Sequence, residues 1–408
     1  MHPMVKPALR RAWRERQTVQ FGVTPAHAVV VGPVDTATGA LLELLDGTRG
    51  LPLLREEARV MGMPDGQVDA LVRRLSTAGL LDDATTGGPE ADALRQRAGA
   101  LDRLRPDLAT LSVVHPEPGG GIRRLAARPA MRVQVRGAGR VGATVAALLS
   151  SAGVGRVEVL DGGCTEPWDI APGGLSAGAV GDRRDTTARQ LVRRSAAVPP
   201  LRQRGRARSV SSSASASAPT PQSAPAAGGD SAAGDAGAEP GLSLVVVCPR
   251  DGLAAYAPDP AGAADWIATG TPHLYAGVIE ATGVVGPLVL PGGTACAGCL
   301  ELGRADRDPG WRRLLAQWRS AGRRSGAVPA CDIALATLVA GTAAAHALSF
   351  LDGELPTSTG ARWENSLPLL DWRSERISPH IDCVCGAHGK SEREHTSDFG
   401  PSHETMAG

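Results

Sequence analysis

Four of the seven cysteines fall into two tight pairs, Cys296-Ala297-Gly298-Cys299 and Cys383-Val384-Cys385. Each pair can supply two corners of a tetrahedral metal site, and Zn²⁺ favours four thiolates. The pairs lie 84 residues apart, Cys299 to Cys383, so they must meet in the fold. His380 and His388 flank the second pair, and either could replace a thiolate. A redox pair or unrelated buried thiols are the alternative readings. If Cys296, Cys299, Cys383 and Cys385 fill all four positions, none stays open for a substrate. Zinc would then be structural and would clamp the C-terminal segment to the rest.

A second group of residues is suited to phosphate. Gly137-Ala138-Gly139-Arg140-Val141-Gly142 is a G-x-G-x-x-G. In such a turn Gly137 allows the tight bend, Gly139 lets a phosphate approach the backbone, and Gly142 lets helix and strand pack closely. The following helix N-terminus adds amide donors and partial positive charge. Asp161 follows at the distance where a carboxylate holds ribose hydroxyls. The motif does not choose among NAD, FAD and ATP, and in the blander reading the glycines only pack a turn. Of the remaining thiols, Cys248 reads as packing, and Cys164 and Cys331 as structural. A reactive thiolate at Cys164 or Cys331 is the alternative, since Cys331 precedes a helix whose N-terminus could depress its pKa.

These groups need elements to hold them. Arg132–Val135 reads as a strand, Gly137–Leu149 as a glycine turn feeding an apolar helix, and Val157–Asp161 as the next strand. That is a βαβ unit and predicts a parallel sheet. Leu242–Val247 is a further buried strand, and Ile333–Phe350 an apolar helix. Upstream, Thr18–Phe21 and Ala28–Val31 read as short strands. Helices follow from Asp35 or Thr36 through Leu45, from Leu51 to Met61, and after Pro64-Asp65 with Val68, Leu71, Val72, Leu75 and Leu80 at helical spacing. Two strands and three helices is a winged-helix order. Ala91–Leu104 is a polar, Arg-rich connector helix. The Ser/Ala/Gly/Pro stretch Arg204–Pro240 lacks the large apolar residues needed to offset ordering entropy, and predicts a disordered insertion. The organisation is thus 1–83 winged-helix-like, 84–130 connector, 131–388 nucleotide-binding with the zinc site and the insertion at 204–240, and 389–408 a flexible tail. The fold class is α/β: a Rossmann-like domain with a mostly parallel sheet, plus a small N-terminal α+β domain.

The bulk numbers exclude several classes. The 408 residues carry a formal charge of only +1, which argues against a general nucleic-acid binder. Lysine occurs only at Lys6 and Lys390, so any phosphate-binding cation in the body of the chain must be arginine. The Arg-rich start lacks the apolar region of a secretory signal, and no unbroken run of about 18 apolar residues suggests a membrane span. Cysteine usage points to metal rather than disulfides, as expected of a cytoplasmic protein.

The stretch Gly286-Pro287-Leu288-Val289-Leu290-Pro291-Gly292-Gly293-Thr294-Ala295-Cys296-Ala297-Gly298-Cys299-Leu300 resembles the ThiF-type, ubiquitin-activating-enzyme-like adenylyltransferase superfamily. Asp251 after its strand, Thr271-Pro272-His273-Leu274, the glycine turn and the late second cysteine pair share that resemblance. It covers roughly Met131 to Gly386 and implies Mg-ATP binding and adenylation of the C-terminal carboxylate of a small carrier protein or peptide. By that resemblance Gly137, Gly139, Gly142 and Asp161 hold the nucleotide, and Asp251 lies near magnesium. The family's Asn-x-x-Arg-Gln segment is replaced here by Trp168-Asp169-Ile170-Ala171-Pro172-Gly173-Gly174-Leu175, which has no arginine. Arg183 or Arg184 falls where the family has its phosphate-binding lysine, which makes Arg184 a candidate cofactor ligand. The N-terminal part, with Leu42-Glu43-Leu44-Leu45-Asp46-Gly47 and Gly79-Leu80-Leu81-Asp82-Asp83, is similar to PqqD-like peptide-recognition domains, where a leader peptide adds as an extra strand. The two together resemble the leader-binding partner proteins of thiazole/oxazole-modified peptide (bacteriocin cyclodehydratase) biosynthesis. Such partners present a precursor peptide to a separate ATP-using cyclodehydratase, and the superfamily also implies a homodimer.

Two functional readings therefore stand first: a non-catalytic, peptide-presenting partner in azoline formation, and an active adenylyltransferase. A nicotinamide or flavin oxidoreductase and a winged-helix DNA binder using Arg10, Arg11, Arg14, Arg16, Arg73 and Arg74 are the other classes. Trp311 and Trp318 read as core or interface, Arg304, Arg307, Arg312 and Arg313 as a solvated basic face, and His273 as a structural histidine.

Overall fold

The computed structural model describes residues 1–197, 241–320 and 328–388. The expected disordered insertion and flexible tail lie outside the described residues.

The N-terminal part has more strands than its sequence suggested. β1 (Pro3–Val5) pairs antiparallel with β5 (Leu81–Asp83), and β2 (Arg11–Glu15), β3 (Thr18–Phe21) and β4 (Val29–Val31) form an antiparallel sheet in that order. β2 escaped notice because every residue of it is exposed, so Arg-Ala-Trp-Arg-Glu shows no buried alternation. Helices α1 (Thr36–Leu44), α2 (Leu51–Val60) and α3 (Gln67–Thr77) lie between β4 and β5. Asp35 caps α1 by accepting from the Thr38 amide. Phe21, Leu41, Leu54, Leu75 and Leu80 make a core of their own.

The next stretch holds three helices where one was expected: α4 (Gly88–Arg95), α5 (Ala98–Val114) and α6 (Gly120–Ala127). Leu94, Leu104, Leu111, Ile122 and Leu125 pack among them. Lys6 anchors the N-terminal part here. Its buried Nζ donates to the carbonyls of His115 (3.1 Å) and Pro116 (3.2 Å).

The remainder is the α/β domain. β6 (Arg132–Arg136), α7 (Arg140–Ser151) and β7 (Arg156–Leu160) form the expected βαβ unit, followed by α8 (Arg184–Ser195) and β8 (Leu244–Val247). After the short α9 (Gly252–Tyr256) and α10 (Ala264–Ala268) come β9 (His273–Ile279) and β10 (Thr282–Val289). Then follow α11 (Ala297–Arg307), α12 (Trp311–Ser320), α13 (Ile333–Leu351), β11 (Ala361–Ser366) and β12 (Trp372–Arg376). The seven strands run β12-β11-β10-β9-β8-β6-β7. From β7 to β9 neighbours are parallel, and β10, β11 and β12 extend the sheet antiparallel. The α/β, Rossmann-like fold class stands, with this antiparallel extension added. The β-branched runs of β6 and β8 and the alanine-rich faces of α7 and α13 fill one core.

One core helix is more apolar on average than its interrupted sequence suggests. α13 has 19 residues and is long and apolar enough to cross a membrane by length and composition alone. Interspersed Thr, Gly, His and Ser break its apolar run without lowering the average much. Its Leu335, Val339, Ala340, Ala343 and Ala347 belong to the domain core. At its end Asp352 forms a buried, two-pronged pair with Arg128, at 2.9 and 2.7 Å, which ties α13 to the end of α6.

Candidate functional site

The glycine turn sits between β6 and α7, and each glycine has a distinct geometric reason. Gly137 has φ +104°, and a Cβ there would lie 1.9 Å from the Cys248 carbonyl oxygen. A Cβ on Gly142 would lie 2.0 Å from the Gly137 carbonyl oxygen. A Cβ on Gly139 would meet no clash, only ordinary contacts with the Arg250 stem at 3.5 Å and Asp169 Oδ1 at 3.9 Å. No side chain caps α7, so its first-turn amides face the space above Gly139.

That space is a cleft lined by Gly139, Arg140, Trp168, Asp169, Arg250 and Cys331, among others. Two of its walls carry buried donors without acceptors, Arg140 Nε and Trp168 Nε1. Arg140 is otherwise tied to the Cys331 carbonyl at 2.6 Å. Buried donors left unsatisfied cost about 1–3 kcal/mol each, which favours a ligand rich in acceptors.

Beside the cleft lies a network of charges. Asp161 accepts from the Ala138 amide at 2.7 Å and from Arg184 Nε at 2.8 Å. Arg184 is committed on every nitrogen. Its Nη1 donates to the Cys164 carbonyl (2.5 Å) and Asp169 (3.3 Å), and its Nη2 to the Gly162 carbonyl (2.6 Å). It therefore clips the 161–169 loop to the start of α8, which differs from the cation facing a ligand that the resemblance suggested. Asp169 also accepts from Arg250 Nε at 2.6 Å, while Arg250 Nη2 reaches Glu166. Burial pushes the Asp169 carboxyl up, against the pull of Arg184. Asp251 caps α9 by accepting from the Leu253 amide. Sequence spacing gave no sign of Arg250, because it meets Asp169 only through the crossing of two loops, whereas Glu166 and Asp169 pair locally as a capping box.

The four paired cysteines converge at the other end of the sheet. Their sulfurs all lie within 4.8 Å of one another and could hold a metal ion. Cys296–Cys299, Cys296–Cys383 and Cys299–Cys385 are separated by 4.0, 3.5 and 3.5 Å. A Zn–S bond of about 2.3 Å requires tetrahedral sulfur edges near 3.8 Å, so the donor set and spacing fit such an ion. The thiol of Cys296 holds Cys299 down to about 4, while burial pushes Cys383 up to about 11. Gly298 is part of this design, since a Cβ there would come within 3.0 Å of Cys383 Sγ. His380 is not a ligand in this arrangement, because its Nε2 lies 2.8 Å from Asp306.

Other expected groups sort by burial. Cys331 is no low-pKa thiol; burial pushes it up despite the neighbouring Arg140. Cys248 is buried and pushed up to about 12 by that burial. His273 is buried, with Nδ1 against the Thr271 carbonyl. Of the basic face, Arg304 is buried instead of solvated and stacks on Tyr256 and Trp311 at 4.2 and 4.8 Å. Trp311 is buried and meets the half-exposed Trp318 edge-on. In the N-terminal sheet β2 and β4 are both edge strands, with Trp13 and Val30 exposed on them.

No family model matches the chain, and no curated protein matches it by sequence. Solved structures do. E. coli MccB with AMPCPP and MccA superposes with a TM-score of 0.62 at 13% identity, over 94% of this chain and 99% of that one. E. coli MccB without these additions gives 0.60 at 14% identity, over 99% of both chains. PaaA gives 0.59 at 14% identity, over 91% of this chain and 99% of its own. The chain has the MccB fold. The match spans the N-terminal part as well as the α/β domain.

Proposed function

We propose that this protein uses Mg-ATP to activate the carboxylate of a peptide held by its N-terminal part. The observation that carries the reading is the cleft at the glycine turn, with uncapped α7 amides and the partnerless donors Arg140 Nε and Trp168 Nε1 in its walls. A triphosphate supplies the acceptors these donors lack. Gly137, Gly139, Gly142 and Asp161 would hold the nucleotide, and Asp251 would hold magnesium, which neutralises phosphate charge when bound. An ionised peptide carboxylate needs no general base. Its oxygen attacks the α-phosphorus, a P–O bond forms, and pyrophosphate leaves with the electrons of the broken bond. The residues of the chain contribute position and positive charge.

The structural neighbours support the substrate class. One is described as the microcin C7 biosynthetic enzyme MccB in complex with N-formylated MccA, and others hold ATP, or AMPCPP together with MccA. An N-formyl group and selenomethionine mark MccA as a polypeptide. In this chain the open edges of β2 and β4 offer backbone groups for strand addition beside exposed Trp13 and Val30. The four-cysteine cluster would hold zinc, which ties the segment after β12 to α11 and supplies no catalytic chemistry.

The test is ATP–pyrophosphate exchange with synthetic peptides encoded by short reading frames beside the gene. Exchange that requires a peptide with a free C-terminal carboxylate supports the reading; none with any such peptide removes it. The second reading, a partner that presents a precursor to a separate ATP-using cyclodehydratase, is favoured by one observation. Asp161, the ribose acid in the first reading, is already bonded to Arg184 and Ala138. Peptide binding without any nucleotide binding would select it.

A further inference from the structure

The Trp168–Leu175 stretch has no arginine, yet one reaches the same place from another element. Arg250 follows β8, directly before Asp251, and crosses to the short turn Pro167–Asp169. Its stem lies over Gly139, 3.5 Å from where a Cβ would stand, and Gly139 is the roomiest of the three glycines of the turn. Its guanidinium lies 5.9 Å from the Trp168 ring centroid. A phosphate entering at Gly139 therefore meets Arg250, with the Asp169 carboxylate that holds it close behind.

The two carboxylates that hold Arg250 differ in kind. Asp169 has a side chain only 3% exposed and accepts from Arg250 Nε, the Glu166 amide and Arg184. It cannot leave without stranding buried donors. Glu166 is 40% exposed and also caps the short turn by accepting from the Asp169 amide, so it turns into water at the cost of that one capping bond.

We infer that Arg250 is the phosphate-contacting cation of this site, positioned by Asp169, and that Glu166 occupies its second prong until a nucleotide phosphate displaces it. This rests on the nucleotide reading above and adds to it a residue and an exchange step. The exchange is a swap of ionic partners with no covalent change.

Isothermal titration of the full chain with Mg-ATP tests it. Arg250→Ala should weaken Mg-ATP binding about 10- to 100-fold, the loss of a charge-assisted contact. Arg250→Lys, which keeps the charge and loses the fork, should fall between. Glu166→Gln, which removes the competing charge, should tighten binding about threefold or more, and should do nothing once Arg250 is Ala. A purely structural Arg250 would not produce that gain or its disappearance. Melting without nucleotide identifies any variant that fails to fold. Arg250→Ala with wild-type affinity overturns the assignment, and Glu166→Gln with unchanged or weaker affinity overturns the exchange. A wild type that binds no Mg-ATP removes the nucleotide reading itself, and this inference with it.

Discussion

Asp161→Ala separates a loop-holding carboxylate from one reserved for a ligand. Asp161 accepts two hydrogen bonds, from the Ala138 amide at 2.7 Å and Arg184 Nε at 2.8 Å. The side chains of the pair are 7% and 10% exposed, so solvent screens them little. Removing one partner of a buried pair costs about 3–5 kcal/mol. Arg184 keeps Asp169 and the carbonyls of Gly162 and Cys164, which sets the cost at the lower end, about 3 kcal/mol. For a domain of this size that lowers Tm by about 6–12 °C. Asp161→Asn keeps an acceptor for the Ala138 amide and loses the ion pair, so about 2 kcal/mol of destabilisation is expected. Thermal and urea unfolding, run without nucleotide, read both variants. If Asp161→Ala melts within 1 °C or so of wild type, by the same scaling, the carboxylate does not hold the loop and the reasoning fails.

Other expected outcomes follow from the same structure. Burial pushes His115, His273 and His346 below the ordinary histidine range, with Arg124 adding to the effect at His115. The unfolded chain then binds protons near pH 6.5 that the folded chain refuses. Stability is complete above that pH and falls as pH drops through it, by up to about 1.4 kcal/mol per pH unit for each histidine; a urea midpoint that stays flat from pH 7 to 5.5 would contradict this. Stripping metal with a chelator should lower the melting temperature and release the segment after β12 to protease, and Gly298→Ala should do the same in part by crowding Cys383; purified protein with no stoichiometric zinc and an unaltered melt in Cys383→Ser would refute it. Trp13→Ala and Val30→Lys should each weaken binding of the exchange-active peptide without altering the melt, as measured by titration; unchanged affinity in both moves the peptide away from these edges.

Much of the α/β domain was legible because its cues are local. The glycine spacing encodes positive φ at Gly137 and close approach at Gly142, and β-branched runs such as Leu244–Val247 form strands wherever they are buried. The cysteine pairs carried their own spacing rule, and the structure brings all four together. The exposed strand β2 and the long helix α5 were less legible, since neither shows a clean apolar period across its length.

The sequence by itself determined the βαβ unit, the turn that opens α7 and the two cysteine knuckles, all set by interactions within a few residues. Only the tertiary structure decided which charges meet. Arg250 lies 81 residues from Asp169, Arg128 lies 224 from Asp352, and Lys6 reaches the carbonyls of His115 and Pro116 more than a hundred residues on. Any of many arginines could have paired with any acid. The choice fell to sheet order and to the penalty for burying an unpaired charge, neither of which has a local signature.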